Sequence, residues 1–210
     1  MPLEARMYGI FAGFLLTWAV AFWLRRGRAA LMPPPWLLFT FVAFIVVMGF
    51  DGLNATLYDI NLMGLPVPYL YEPRLDLRLA TGLLSGIGVG GIILPVVNYS
   101  LWRDARAQSI FASGRELVVL LIPNAILFVL VASQSGLFLY PTSLIGVLGV
   151  LALMAALNIV MVVSIVKREG AASNWRETLN PIAAAILLTT LELGALSAVR
   201  YAIFGTSVIP

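Results

Sequence analysis

Glu192 in TTLELGAL, Asn124 in IPNAIL and Asn158 in AALNIV are polar side chains set inside otherwise apolar runs. An ionisable group in such a run is expensive to hold in hydrocarbon, so it marks a functional site or a buried partner. Three uses fit Glu192: a carboxyl tied to Asn124 or Asn158 as structural glue, a relay for protons or cations near the midplane, or a contact to another subunit. Thr189 and Thr190 add hydroxyls to the same turn.

A second group is YEPRLDLRLATG, where Glu72, Arg74, Asp76 and Arg78 fall within seven residues. Pro73 suits a first helical turn, and Glu72 and Asp76 suit the positive end of a helix dipole. Arg78 lies about one turn further in, at the depth of Asp51. An unpaired arginine at a low-dielectric interface is costly, so Arg78 is expected to pair with Asp51, Glu72 or a carbonyl. Together with Asn54 these residues read as a clamp on an outer cap. The functional alternative is an anion or headgroup site made by Arg74 and Arg78.

The third group is TGLLSGIGVGG, in which Gly82, Gly86 and Gly90 recur every four residues beside Ser85 and Gly88. Small residues at that spacing let another helix backbone approach closely. The stripe serves packing within the bundle, an interface to a partner subunit, or a groove for a lipid, carotenoid or quinone. No cofactor is implied as intrinsic.

Other chemistries are excluded by what the 210 residues omit. With no cysteine and no histidine there are no disulfides, thiolate metal sites or imidazole ligands, and no metal site is expected. No phosphate loop, paired carboxylates or Ser/His arrangement can be assembled, so no catalytic residue is assigned and the chain reads as non-enzymatic. The charge of +3 comes from 13 basic and 10 acidic side chains. Nucleic-acid binding is not expected, because the basic loops are short and mixed in sign. Arg25, Arg26, Arg28, Arg103 and Arg106 could instead hold anionic headgroups of membrane lipids.

These residues are positioned by membrane helices. Charged residues make up 11% and hydrophobic ones 61%, with a mean hydropathy of +0.98, whereas about a quarter of residues are charged in soluble domains. Apolar runs of about 20 residues match a hydrocarbon core of about 30 Å. Six spans are predicted: Met7 to Leu24, Trp36 to about Gly52, Leu75 to Trp102, Glu116 to Val131, Thr142 to Val166 and Leu179 to Phe204. Glu4 and Arg6 precede a first run long enough to span, so it reads as a helix rather than a cleaved leader. Gly64, Pro66, Pro68 and Pro73 argue against a continuous helix across about 51 to 74, which is expected to lie as an interfacial cap. The fold class is therefore all-α, one integral membrane bundle of six transmembrane helices over 1–210. Pro95 and Pro123 are candidates for kinks.

Orientation follows from arginine and lysine. The loops after helices 1, 3 and 5 hold nine: Arg25, Arg26, Arg28, Arg103, Arg106, Arg115, Lys167, Arg168 and Arg176. The other side holds four: Arg6, Arg74, Arg78 and Arg200. Both termini and the cap are placed outside. Tryptophans 23, 36, 102 and 175 fall at inner ends and most tyrosines at outer ends, as an interfacial belt would place them.

The segment MGFDGLNATLYDI, with LYEPRLDLRLATGLLSG after it, resembles an uncharacterised bacterial membrane-protein family, domain of unknown function 2085. The resemblance rests on a D-G-x-N element, here Asp51, Gly52 and Asn54, and on an L-Y-E-P-x-x-x-L-R-L-x-T-G element, here Leu70 to Pro73, Leu77 to Leu79, Thr81 and Gly82. It implies a multi-pass protein of the bacterial cytoplasmic (inner) membrane. Members tend to carry a C-x-R-C-T-G-I-Y-x-G-F element where this chain reads EARMYGIFAGF. Arg6, Gly9, Ile10, Gly13 and Phe14 fit, while Glu4 and Met7 stand at the cysteine positions. Without those thiols the scaffold remains, which favours a structural or accessory role. The leading expectation is a non-catalytic subunit or assembly factor of a larger, energy-transducing membrane complex, packing on other subunits through the glycine face of helix 3 and the outer DGLN to YEPR cap. The alternatives are a small-solute or ion transporter using Glu192, and a quinone or lipid binding protein with an apolar groove beside helix 3.

Overall fold

The computed structural model describes residues 4–205. It is an all-α bundle of six helices, each long and apolar enough to cross a membrane, with one small two-stranded sheet. The helices are α1 (Ala5–Trp23), α2 (Pro35–Leu62), α3 (Leu75–Leu101), α4 (Gly114–Ala132), α5 (Gly136–Ile165) and α6 (Trp175–Phe204); the strands are β1 (Ala29–Leu31) and β2 (Arg106–Ser109). Helices carry the whole span because hydrocarbon offers no partner for a free backbone N–H or C=O. Pro95, Pro123, Pro141 and Pro181 all sit inside continuous helices.

α3 is the central post. It packs on α1, α2, α4 and α5, while α6 rests chiefly on α5. The α1–α3 contact is the most extensive among the described residues, and it is close because both helices present small residues at four-residue spacing. A Cβ on Gly82 would strike Arg6 O, and one on Gly86 would strike Ile10 O. In the other direction a Cβ on Gly13 would lie 2.5 Å from Leu83 O. Gly90 completes the stripe against Thr17, whose hydroxyl donates back to Gly13 O at 2.8 Å.

The second predicted helix runs about ten residues further than expected, to Leu62. The segment after Gly52 is polar enough to lower its hydropathy, but nothing in it opposes helix. The breakers begin only at Gly64, where φ is +92°, and residues 65 to 74 then fold back against the helix end. Asn61 Nδ2 donates to Val67 O at 3.0 Å, and the Tyr58 and Tyr69 rings meet edge to face at 5.0 Å. α3 opens at Leu75, so Pro73 precedes the helix rather than occupying its first turn.

The end that the charge count predicts to be inner is tied by main chain. β1 and β2 pair in parallel, and Arg103 N donates to Ala172 O at 2.9 Å, so all three inner loops are stitched together. α1 and α5 both close with the six-to-one and five-to-two bonds of a Schellman cap, with Arg25 and Lys167 in the left-handed region. A capping box of Ser113 and Glu116 starts α4, and Glu116 also pairs with Arg26 at 2.8 Å.

Candidate functional site

At the end of the bundle that the charge count predicts to be outer, Asp51 is 2% exposed and holds four elements together. Its Oδ2 accepts from Arg6 Nη2 at 2.9 Å and Nε at 3.2 Å, its Oδ1 accepts from Tyr71 Oη at 2.8 Å, and Thr81 Oγ1 lies 3.3 Å from Oδ2. Arg6 begins α1, Asp51 lies on α2, Tyr71 on the returning loop and Thr81 on α3. Burial and the neighbouring Asp51 carboxylate raise the Tyr71 pKa, with Arg6 opposing. Asn54, one turn further along α2, donates from Nδ2 to Tyr71 O at 2.9 Å and accepts from Leu70 N at 2.8 Å, so its amide stands in for a strand partner.

The expected clamp is thus redrawn. Arg78 meets Glu4 at 3.4 Å and not Asp51 or Glu72, because Arg6 already fills the Asp51 carboxylate. Glu72 is exposed and makes no ion pair among the described residues, while Asp76 pairs with Arg74 at 2.8 Å on the surface. Arg74 and Arg78 therefore face separate carboxylates and do not converge on a common anion site. Arg6, Tyr71 and Thr81 are the contributors that residue-by-residue reading passed over, although all three stand in the motifs that carry the family resemblance.

Deeper in the bundle, Asn158 Nδ2 donates to Glu192 Oε2 at 2.8 Å and to Thr189 Oγ1 at 2.9 Å. Thr189 and Glu192 are three apart on α6 and share a face, which puts both against α5. Asn124 does not join them. It sits on α4, which packs against α1, α3 and α5, and its Nδ2 returns to Leu120 O at 2.8 Å. Its Oδ1 and the Ser85 hydroxyl are buried without a partner among the described residues. No group of three acidic side chains gathers as metal ligands do among those residues.

The glycine face of helix 3 is occupied within the chain. Gly82, Gly86 and Gly90 are buried under α1, so this stripe is not open to a second subunit. Open space beside α3 lies elsewhere, and one cavity, of about 540 Å³, is bounded by α1, α3, α5 and α6. Trp18, Trp102 and Trp175 line it with Leu94, Ile159 and Ile186, and Thr189 closes its deep end. Trp102 and Trp175 meet edge to face at 4.8 Å, and the Arg28 guanidinium stacks 4.1 Å over the Trp102 ring. The walls are almost wholly apolar, and the polar atoms come from Asn98 at the inner end and Thr189 at the other.

Six membrane-length helices around a buried polar tie and a lipophilic groove define a polytopic membrane protein. Residues 1–92 match the family model described as Predicted membrane protein (DUF2085), a stretch that runs from α1 into α3 and contains the whole Arg6, Asp51, Tyr71 and Thr81 cluster. No curated protein matches the chain, and no solved structure does.

Proposed function

We propose that this protein is a non-catalytic membrane binding protein for a flat or elongated apolar molecule, an isoprenoid quinone or a lipid, seated in the groove between α1, α3, α5 and α6. The observation that carries this reading is the groove itself: about 540 Å³, walled by aliphatic side chains and three tryptophans, and closed by one hydroxyl. Sites for small molecules are concave, mostly apolar, and fixed in orientation by a few polar groups. Thr189 accepts from Asn158 and donates to no acceptor among the described residues, so its proton is free for a ligand carbonyl. A hydrocarbon carotenoid, lacking such a carbonyl, would use the apolar walls alone.

A second reading, an accessory subunit of a larger and energy-transducing membrane complex, has one observation in its favour. α6 packs chiefly on α5 and leaves Thr190, Gly194 and Ala198 exposed at four-residue spacing, so any partner would meet α6 rather than the glycine face of α3. Transport through Glu192 has less support, because the space that reaches Thr189 is apolar and the Glu192 carboxyl is held by Asn158.

The test is a titration of purified protein with a short-chain quinone, read by quenching of the groove tryptophans, together with mass spectrometry of whatever the protein retains in mild detergent. Saturable quenching that Ala155→Phe abolishes supports the binding reading. Equal quenching in both proteins, or stoichiometric co-purification with one large complex and no retained lipophile, moves the assignment to the subunit reading.

A further inference from the structure

A second cavity of about 520 Å³ opens at the inner end, between the end of α5, the start of α6 and the loop joining them, on the other side of Leu101 from the tryptophan groove. Arg103, Arg168 and Asn180 line it, and Val162, Val166 and Ala184 form its apolar wall. Neither arginine has a carboxylate within 4 Å among the described residues. Glu177 also borders the cavity, but its carboxylate is engaged by Ser173 N and Asn174 Nδ2, each at 2.7 Å. Asp104 and Glu169 follow the two arginines in sequence and do not line the cavity; Glu169 accepts from Ser164 Oγ at 2.9 Å.

We infer that this cavity binds one anionic glycerophospholipid of the inner leaflet, its phosphate held by Arg103 and Arg168 and an acyl chain lying along Val162, Val166 and Ala184. Charge complementarity selects the headgroup. A guanidinium presents a planar fork of donors that matches phosphate oxygens, and basic pockets between membrane helices are suited to anionic headgroups. Depth selects a lipid over a free anion. Trp175 begins α6 beside the cavity, at the level where tryptophan marks the membrane interface, so the arginines sit at headgroup height, with Val166 at the helix end next to them and Val162 a turn further in. The continuous apolar wall has no use for a soluble phosphate.

The experiment reconstitutes the protein in vesicles of phosphatidylcholine with about one part in ten phosphatidylglycerol, then reads by native mass spectrometry which lipid stays bound. The wild-type protein retains one phosphatidylglycerol in preference to phosphatidylcholine. Each basic side chain near an anionic lipid contributes roughly a factor of five, so the R103Q/R168Q protein loses retention by about 25-fold. Arg176→Gln removes a charge from the first turn of α6, at the same end of the bundle, without touching the cavity, and leaves retention unchanged. If the double variant does not fold, Val166→Trp, which blocks the acyl wall and keeps both arginines, gives the same loss. The inference is overturned if R103Q/R168Q or Val166→Trp retains the lipid like wild type, if Arg176→Gln loses as much, or if inorganic phosphate displaces the lipid.

Discussion

α3 and α6 are both long, both apolar, and both carry small residues four apart, yet they lead opposite lives. In its most apolar stretch α3 is 67% buried and α6 only 11%. Hydropathy cannot produce that difference, since lipid tails are as apolar as leucine and give helices no reason to leave them. What differs is the facing surface. Gly82, Gly86 and Gly90 meet Gly9, Gly13 and Thr17 of α1, a stripe of matching pitch, so two flat faces close to backbone contact. Thr190, Gly194 and Ala198 of α6 meet no such stripe, and nothing lies within 4 Å of a Cβ placed on Gly194. α6 is instead attached by the Asn158 tie and by the inner loops, which leaves room for the groove.

The comparison breaks most severely at Gly86. Gly86→Leu drives a side chain into the α1 backbone at Ile10 and Gly13, where neither helix can yield without separating. The cost is at least the roughly 3 kcal/mol upper end of core overpacking. Size-exclusion profiles of the detergent-solubilised variant are expected to show loss of the monodisperse peak; a wild-type profile and melting temperature would mean that α1 and α3 are not packed this way.

Next in size is the outer cluster that pins the start of that helix pair. Asp51→Ala leaves Arg6, only 15% exposed, without its carboxylate, and breaking a buried pair costs about 3 kcal/mol or more. Tyr71→Phe is milder and adds a pH signature. The raised pKa of Tyr71 means that its neutral form is favoured in the folded state. That contribution is intact below about pH 10, the ordinary tyrosine value, and is lost as pH rises through the higher folded value. Thermal melts from pH 8 to 11 (about the range that brackets this titration) should therefore fall more steeply for wild type than for Tyr71→Phe. Parallel curves would detach Tyr71 from Asp51.

Much of this architecture was open to sequence reading, and the failures have physical causes. The spans follow from apolar runs because the bilayer sets their length. The end of α2 is not legible in hydropathy, which falls after Gly52, whereas the helix continues through those more polar residues until Gly64 and Pro66 stop it. Both small-residue stripes are visible in YGIFAGF and TGLLSGIGVGG, but one helix does not encode which face another will choose, and so the sequence leaves packing within the bundle and a partner interface both open for the α3 stripe, and only the structure assigns it to α1. Arg6 and Asp51 are 45 residues apart, and Arg78 is nearer Asp51 in sequence; only packing shows that Arg6 arrives first. Asn124 was grouped with Glu192 by depth alone, although depth without neighbour order cannot pair helices. Strands as short as β1 and β2 carry no periodicity from which to infer them.

The smallest expected effect lies on α6, where the comparison predicts a contrast between the face packed on α5 and the open face. Asn158→Ala removes the hydrogen bonds to Glu192 and Thr189 and leaves a carboxyl without its donor, so it should destabilise by about 1 kcal/mol, within the range for polar contacts between membrane helices. Gly194→Val adds bulk on the opposite, open face and should change the isolated protein by less than about 0.5 kcal/mol. The pair is informative because the two substitutions sit near the same depth, one at a contact between α5 and α6 and the other on a face with no protein opposite it among the described residues. If Gly194→Val instead lowers the melting temperature of the purified chain as much as Asn158→Ala does, the α6 stripe is already covered, and the covering surface must come from a second molecule present in the preparation.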